Sequence, residues 1–194
     1  MYKRRVVLGI VCLLWAPACR SQEKPTRFEV SPLLTYLRVP DSSFINAQNQ
    51  VEIGGRFSWN FVPYVALDLE IEGSPFRTTN LTTFHQGGYL SQGFVGFKSG
   101  KRWHTFGILG KFRPGLNSYS GVITSIDPTT LAFRFGRRTD LSFDVGGVLE
   151  CYISRRIMLR YDFGDTIIHY NAGPGVSSLV KNNFQFTSAV AFRF

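Results

Sequence analysis

The chain has 194 residues and a formal net charge of +9; 44% of its residues are hydrophobic, 15% aromatic and only 18% charged. Disordered chains are poor in aromatics and rich in charge, so this composition excludes one, and the length suits one domain with a targeting tail. Three cysteines, two of them before residue 20, exclude a disulfide scaffold and a cysteine-based zinc site.

The first eighteen residues read as an address. Lys3, Arg4 and Arg5 precede an uncharged, mostly apolar run over 6–16, which closes on Ala16-Pro17-Ala18. A basic start, a short apolar run and a small-residue end predict a secretory signal peptide over 1–18. The run is too short for a bilayer-spanning helix, which needs about twenty residues. Cys19 follows the cleavage point and resembles the modified cysteine of a bacterial lipoprotein box, with Ala16 where such boxes carry Leu. It is a candidate lipid anchor. Residues 19–27 are expected to be a short periplasmic segment and 28–194 the folded domain.

From Phe28 onward the hydrophobic period is two, which marks strands. The first strand is predicted over 28–39, with Phe28, Val30, Leu34 and Tyr36 on one face. The second, 51–60, alternates Val51, Ile53, Phe57 and Trp59 with Glu52, Arg56 and Asn60. The third, 64–72, sets Val65, Leu67, Leu69 and Ile71 against Asp68, Glu70 and Glu72. The fourth, 88–98, carries Tyr89, Val95 and Phe97, its period blurred by Gly93 and Gly96. The fifth is 102–113, with Phe106, Ile108 and Phe112 opposing Lys111 and Arg113. The sixth, 140–153, sets Leu141, Phe143, Val145, Leu149 and Ile153 against Asp144 and Glu150. Leu131, Phe133 and Phe135 keep the same parity, so this strand has the pattern to begin earlier and protrude. The seventh, 156–169, opposes Ile157, Leu159, Tyr161, Phe163 and Ile167 to Arg160 and Asp162. The eighth, 183–194, opposes Phe184, Phe186, Val190, Phe192 and Phe194 to Gln185, Thr187 and Arg193.

Short connections are expected at Phe61-Val62-Pro63, Ser99-Gly100-Lys101 and Ser154-Arg155, and long ones at 40–50, 73–87, 114–139 and 170–182. Short turns at one end and long loops at the other are the layout of a membrane barrel, with the turns in the periplasm. Alternation alone does not say which face meets lipid. A soluble lipocalin-like barrel would put the apolar face inside. Aromatics near strand ends (Tyr36, Trp59, Phe61, Trp103) and the scarcity of lysine on the polar face favour the inverted arrangement. The expected fold is therefore all-β: an eight-stranded antiparallel up-and-down transmembrane β-barrel.

The ending Thr187-x-Ala189-x-x-Phe192-x-Phe194 resembles the C-terminal assembly signal of bacterial outer-membrane proteins, with Ala189 in the usual glycine position. Together with the leader and the eight strands, it resembles the small OmpA/OmpX-type outer-membrane barrel domain over 28–194. That resemblance implies the bacterial outer membrane, contact with outer-membrane lipids and lipopolysaccharide, recognition by the barrel assembly machinery, and a monomer without the periplasmic domain of full OmpA proteins. It does not select a role, since the family includes structural proteins, adhesins and lipid-modifying enzymes.

An eight-stranded interior is just wide enough for side chains, and buried charges there must be paired. The expected lumen network is Glu52, Arg56, Asp68, Glu70, Lys111, Arg113, Asp144, Glu150, Arg160, Asp162 and Arg193. It reads as a structural plug, with a narrow ion path as the alternative. For catalysis, Asp165 and His169 share a face, with Ser177 and Ser178 in the next loop, but no nucleophile elbow accompanies them. A lipid-A-modifying enzyme is the competing class; the expectation is no catalysis, no cofactor and no metal. Arg134, Arg137 and Arg138 suit an anionic surface such as lipopolysaccharide phosphates rather than nucleic acid. Lys101, Arg102, Arg155 and Arg156 are expected at the periplasmic turns, anchoring by snorkelling.

Overall fold

The structure, a computed structural model, describes residues 26–39, 48–76, 88–127, 129–130, 132–171 and 177–194. The expected signal peptide over 1–18, the candidate lipid anchor Cys19 and the rest of the segment up to residue 25 lie outside these residues. Eight strands follow in chain order: β1 Phe28–Val39, β2 Gln48–Val62, β3 Val65–Gly73, β4 Leu90–Arg102, β5 Phe106–Ile126, β6 Phe133–Tyr152, β7 Ile157–Tyr170 and β8 Leu179–Arg193. Each pairs antiparallel with its neighbours, and β1 pairs with β8, so the sheet closes into a barrel. Closure removes every sheet edge, the condition for crossing a membrane with strands. Among the described residues no helix is long and apolar enough to cross one.

The side-chain parity follows the sequence on all eight strands, and its sense is inverted relative to a soluble barrel. Phe28, Val30, Leu34, Ile53, Phe57, Leu69, Ile71, Phe97, Ile108, Phe112, Phe163, Phe184 and Phe192 point outward and are exposed. The alternate positions point inward, and their largest fully buried side chains are Arg56, Arg113 and Arg160. Such a surface is stable only where the surroundings are apolar. On β1 the outward apolar set runs from Phe28 to Tyr36, roughly 26 Å of strand at about 3.3 Å per residue. At a tilt of about 40° this gives an apolar band of roughly 20 Å, close to the band of about 25 Å typical of such barrels. Aromatics gather at the end holding both termini: Trp59 lies 4.2 Å from Phe61, and Trp103 stacks 4.7 Å from Phe106 with the Lys101 ammonium over its ring. These rings suit the membrane–water interface.

Three expected connections are corrected. The β2–β3 turn is Pro63-Tyr64, one step beyond the expected site. Ser99, Gly100 and Lys101 are strand residues, paired with Gly110, Leu109 and Ile108, and the β4–β5 turn is Trp103-His104-Thr105. Gly100 is there for a close approach rather than a turn: a Cβ would lie 2.5 Å from the Leu109 Cα. The third correction is larger. The expected long loop 114–139 is mostly a hairpin, in which β5 and β6 pair up to Ile126↔Phe133. From Tyr119, the last β5 residue paired to β4, to Ile126 the hairpin extends roughly 23 Å at about 3.3 Å per residue. Two bulges interrupt it, between Ser120 and Val122 and between Ile123 and Ser125. Gly121 occupies the first with φ 75°, a left-handed conformation that glycine adopts without steric cost. At the tip, the Asp127 carboxylate accepts backbone N–H bonds from Thr129 (2.9 Å) and Thr130 (3.4 Å), which lower its pKa.

Room for the large inward side chains comes from glycines on neighbouring strands. A Cβ at Gly96 would lie 2.2 Å from the Phe112 carbonyl oxygen and 2.6 Å from the Arg113 Cα. These are backbone atoms and cannot step aside. Gly96→Ala is expected to cost on the order of 1–3 kcal/mol by overpacking. A lower urea midpoint of the refolded barrel would register it, whereas Gly55→Ala, with nothing within 4 Å of the added carbon, should leave the midpoint unchanged.

Candidate functional site

The chemistry of this chain is concentrated inside the barrel, because period-two alternation sends every second residue of eight strands to one narrow axis. All eleven residues expected in the lumen are buried there. Ten of them form two joined tiers of ion pairs, and Glu52 stands outside both. In the central tier Arg113 pairs with Glu70 at 2.5 Å, with Asp144, and with Asp162 at 3.5 Å. Arg56 bridges Glu70 and Asp162, the latter at 2.8 Å. Lys111 reaches Asp144 at 2.8 Å, and Arg160 joins Asp162 (2.8 Å) to Asp68 (2.6 Å). Arg113 also lies over the Phe94 ring at 5.8 Å.

The lower tier, toward the short turns, contains residues that sequence reasoning left out. Lys98 pairs with Glu150 (2.8 Å), Glu29 (3.3 Å) and Asp68 (3.8 Å), which ties the two tiers together. Arg102 is not a snorkelling anchor. It pairs with Glu150 at 2.8 Å and donates to Asn60 Oδ1 and the Pro63 carbonyl. Arg193 pairs with Glu29 at 3.4 Å, and the Tyr152 hydroxyl donates to Glu150 at 2.7 Å. The signals were in the sequence: Lys98 and Arg102 share the even parity of Gln92 on β4, and Glu29 the odd parity of Thr35 on β1. The misplaced turn at 99–101 concealed Arg102, whereas Lys98 ended the expected fourth strand and was not carried into the network.

A small apolar cluster lies toward each end of this polar column. Leu37 and Leu90 pack with Tyr119 at the loop end, and Tyr152, Met158 and Ala191 pack at the turn end. Tyr119 and Tyr170 approach hydroxyl to hydroxyl at 3.3 Å. Arginine guanidiniums and carboxylates line this axis in pairs, and an isolated buried charge within it would be costly.

The residues considered for catalysis do not converge. Asp165 and His169 sit on the outward face of β7, both exposed, four residues apart; that is roughly 13 Å of strand, beyond hydrogen-bond reach. Ser177 and Ser178 are exposed just before β8. His85 lies outside the described residues. No group of three or more His, Cys, Asp or Glu able to hold a metal occurs among the described residues.

In the C-terminal segment Thr187 points inward and bonds Thr35 at 2.8 Å, Ala189 is buried opposite Arg160, and Phe192 and Phe194 face outward. The small residue at 189 leaves space for the Arg160 side chain. Above the apolar band, Arg134 and Arg137 are exposed on the extended β6. Arg137 donates to Ser91 Oγ at 2.8 Å, and Arg138 pairs with Asp140 at 3.0 Å and bonds the Asn171 carbonyl.

A closed eight-stranded barrel with an apolar outside and an ion-paired inside is a transmembrane β-barrel of the outer-membrane kind. Solved structures share the architecture. Neisserial surface protein A superposes with a TM-score of 0.64 at 11% identity, covering 87% of this chain and 98% of its own. Ail, the attachment invasion locus protein of Yersinia pestis, solved in complex with the heparin analogue sucrose octasulfate, gives 0.58 at 10% identity, covering 88% and 99%. Outer membrane protein W of E. coli gives 0.53 at 12% identity, covering 89% and 100%. No family model and no curated protein sequence matches the chain. The likeness is one of fold.

Proposed function

We propose that the protein is a monomeric, non-enzymatic component of the bacterial outer membrane, a sealed barrel that carries a rigid basic hairpin above the membrane to engage phosphorylated or sulfated sugars. The observation that carries this reading is the β5–β6 hairpin, which runs beyond the other strands with Arg138 and Arg137 at its base and Arg134 further out. Backbone pairing holds these cations at fixed spacing, so binding an anionic sugar costs little ordering entropy. Lipopolysaccharide phosphates of the surrounding leaflet are the nearest such partner, and nucleic acid has no place in this reading. The sulfated sugar bound by Ail supports the choice of ligand chemistry. The cross-strand ion pairs that span the lumen support a structural plug over a conducting path. The outward Phe192 and Phe194 support recognition of the C-terminal strand by the barrel assembly machinery before closure.

The test is retention of the detergent-solubilised barrel on immobilised lipopolysaccharide, with dephosphorylated lipopolysaccharide as the control. Wild type should elute only as salt is raised, since counterion screening weakens exposed charge pairs. Arg134→Ser/Arg137→Ser should elute at distinctly lower salt with an unchanged unfolding temperature. Equal retention of both proteins, or equal retention on the dephosphorylated matrix, would refute the reading.

A further inference from the structure

Above the ion-pair network the lumen changes character. Glu52 on β2 and Glu72 on β3 are fully buried, and among the described residues neither has a lysine or arginine within ion-pairing distance. Arg113, the guanidinium one layer below, is committed to Glu70 and Asp144. What holds the two carboxylates together is one neutral amide. Gln92 Nε2 donates to Glu52 Oε2 at 2.6 Å and to Glu72 Oε1 at 2.5 Å. The Thr35 hydroxyl and Gln185 Nε2 add neutral donors to Glu72 at 2.5 and 3.2 Å. Two desolvated carboxylates sharing an amide hydrogen source lack the compensating charge that such burial demands.

A second, independent observation lies beside them. Gln50, 5% exposed, and Asn117, 0% exposed, have no hydrogen-bond partner for either amide atom, and Glu52 Oε1 and Gln92 Oε1 are also unpartnered. Buried amides are ordinarily bonded, so a cluster of unpartnered ones requires an occupant. The register brings these groups together. Glu72 and Asn117 both stand directly opposite Gln92, on either side of β4. Gln50 is two residues from Glu52 on the same inward face of β2, and Thr35 stands opposite Glu52. Gly54 faces Glu72, where a Cβ would lie 2.5 Å from the Glu72 Cβ, so glycine makes the space.

Water could satisfy the amides but would leave two carboxylates uncompensated. A hard divalent cation satisfies both needs. We propose that Glu52, Glu72, Gln92, Gln50 and Asn117 form a binding site for a calcium-class divalent cation inside the barrel. The donors are all oxygens, from carboxylates and amide carbonyls, the set calcium takes at about 2.3–2.6 Å. A half-turn of the Gln92 amide puts its oxygen on the ion, replacing the N–H that now sits between the carboxylates. Magnesium, which keeps several waters and demands near-octahedral order, suits a cage of long side chains poorly. Leu37, opposite Gln50, and Leu90, opposite Tyr119, lie over the site on its loop side. The ion is therefore shielded from bulk water, exchanges slowly, and ties β2, β3, β4 and β5 together beneath the extended hairpin.

The experiment unfolds the purified protein in urea with EDTA and refolds it into detergent with calcium or with EDTA. Metal content after gel filtration and unfolding temperature are then measured. Wild type should retain one calcium per chain, and its unfolding temperature should rise with calcium concentration, as linkage requires. Glu52→Gln/Glu72→Gln should lose both responses. This variant keeps the volume and removes the carboxylate repulsion, so in EDTA it should be at least as stable as wild type. Three results would overturn the proposal: wild type that retains no calcium and unfolds identically in calcium and EDTA; a calcium response that survives the double substitution; or an unfolding temperature that follows pH but not calcium, which would mean the two carboxyls share a proton.

Discussion

Replacing Arg113 by methionine is expected to lower the stability of the refolded barrel by about 3–5 kcal/mol, the cost of breaking a buried ion pair from one side. Arg113 is fully buried and serves Glu70, Asp144 and Asp162 together. Its removal leaves three carboxylates in a low-dielectric interior with Arg56, Lys111 and Arg160 as their remaining cations. Those partners are already shared, so compensation is partial. The companion variant is Arg113→Met/Asp144→Leu. It removes one charge of each sign, and replacing a whole pair by apolar groups of similar volume is often close to neutral. The double variant should therefore be more stable than Arg113→Met alone, a non-additivity that a double-mutant cycle in urea would read directly. A loss within about 1 kcal/mol for the single variant, the range of an exposed pair, would mean that water penetrates the lumen and screens the network.

The contrast between what the sequence disclosed and what it concealed has a physical cause. Period-two alternation survives wherever one face is apolar and the other charged, so Leu69 against Glu70, or Leu159 against Arg160, can be placed without the fold. The network residues follow from the same parity. Glycine is where sequence reasoning fails. Gly100 has the look of a turn residue, yet it lines the lumen, where the Leu109 Cα lies 2.5 Å from the place a Cβ would occupy. Shifting that turn to 103–105 moves Arg102 from an expected interfacial anchor into the Glu150 pair. Pro114, Gly115 and the polar run Asn117-Ser118 carry little strand signal, because their strand is specified by the partner β6 rather than by local preference. The bulges then break the parity on which sequence reasoning depends. The Glu52–Glu72 pair is visible in the sequence only as two inward acids; that neither has a lysine or arginine partner among the described residues is a property of packing across four strands.

Leu69→Arg addresses the outside of the barrel as Arg113→Met addresses the inside. Leu69 lies at the middle of β3, 47% exposed, flanked across the ladder by Phe57 and Val95. A cation at mid-bilayer on the lipid face costs about 2–4 kcal/mol, whereas near the interface the cost falls to about 0–1 kcal/mol. Ser118, outward on β5 just before the hairpin leaves β4, supplies the second position. In lipid vesicles Leu69→Arg should lower the yield of folded, heat-modifiable barrel, while Ser118→Arg should fold as wild type does. In a soluble barrel both sites would face water, and an arginine at an exposed leucine would be neutral or would improve solubility. The comparison therefore reads depth rather than tolerance to arginine. Asp165 calibrates it, since this outward carboxylate pairs in register with Val145 and Phe184, toward the loop end of the band. If Leu69→Arg and Ser118→Arg fold equally well in vesicles, the apolar belt does not meet hydrocarbon at Leu69, and the inverted reading of this barrel fails.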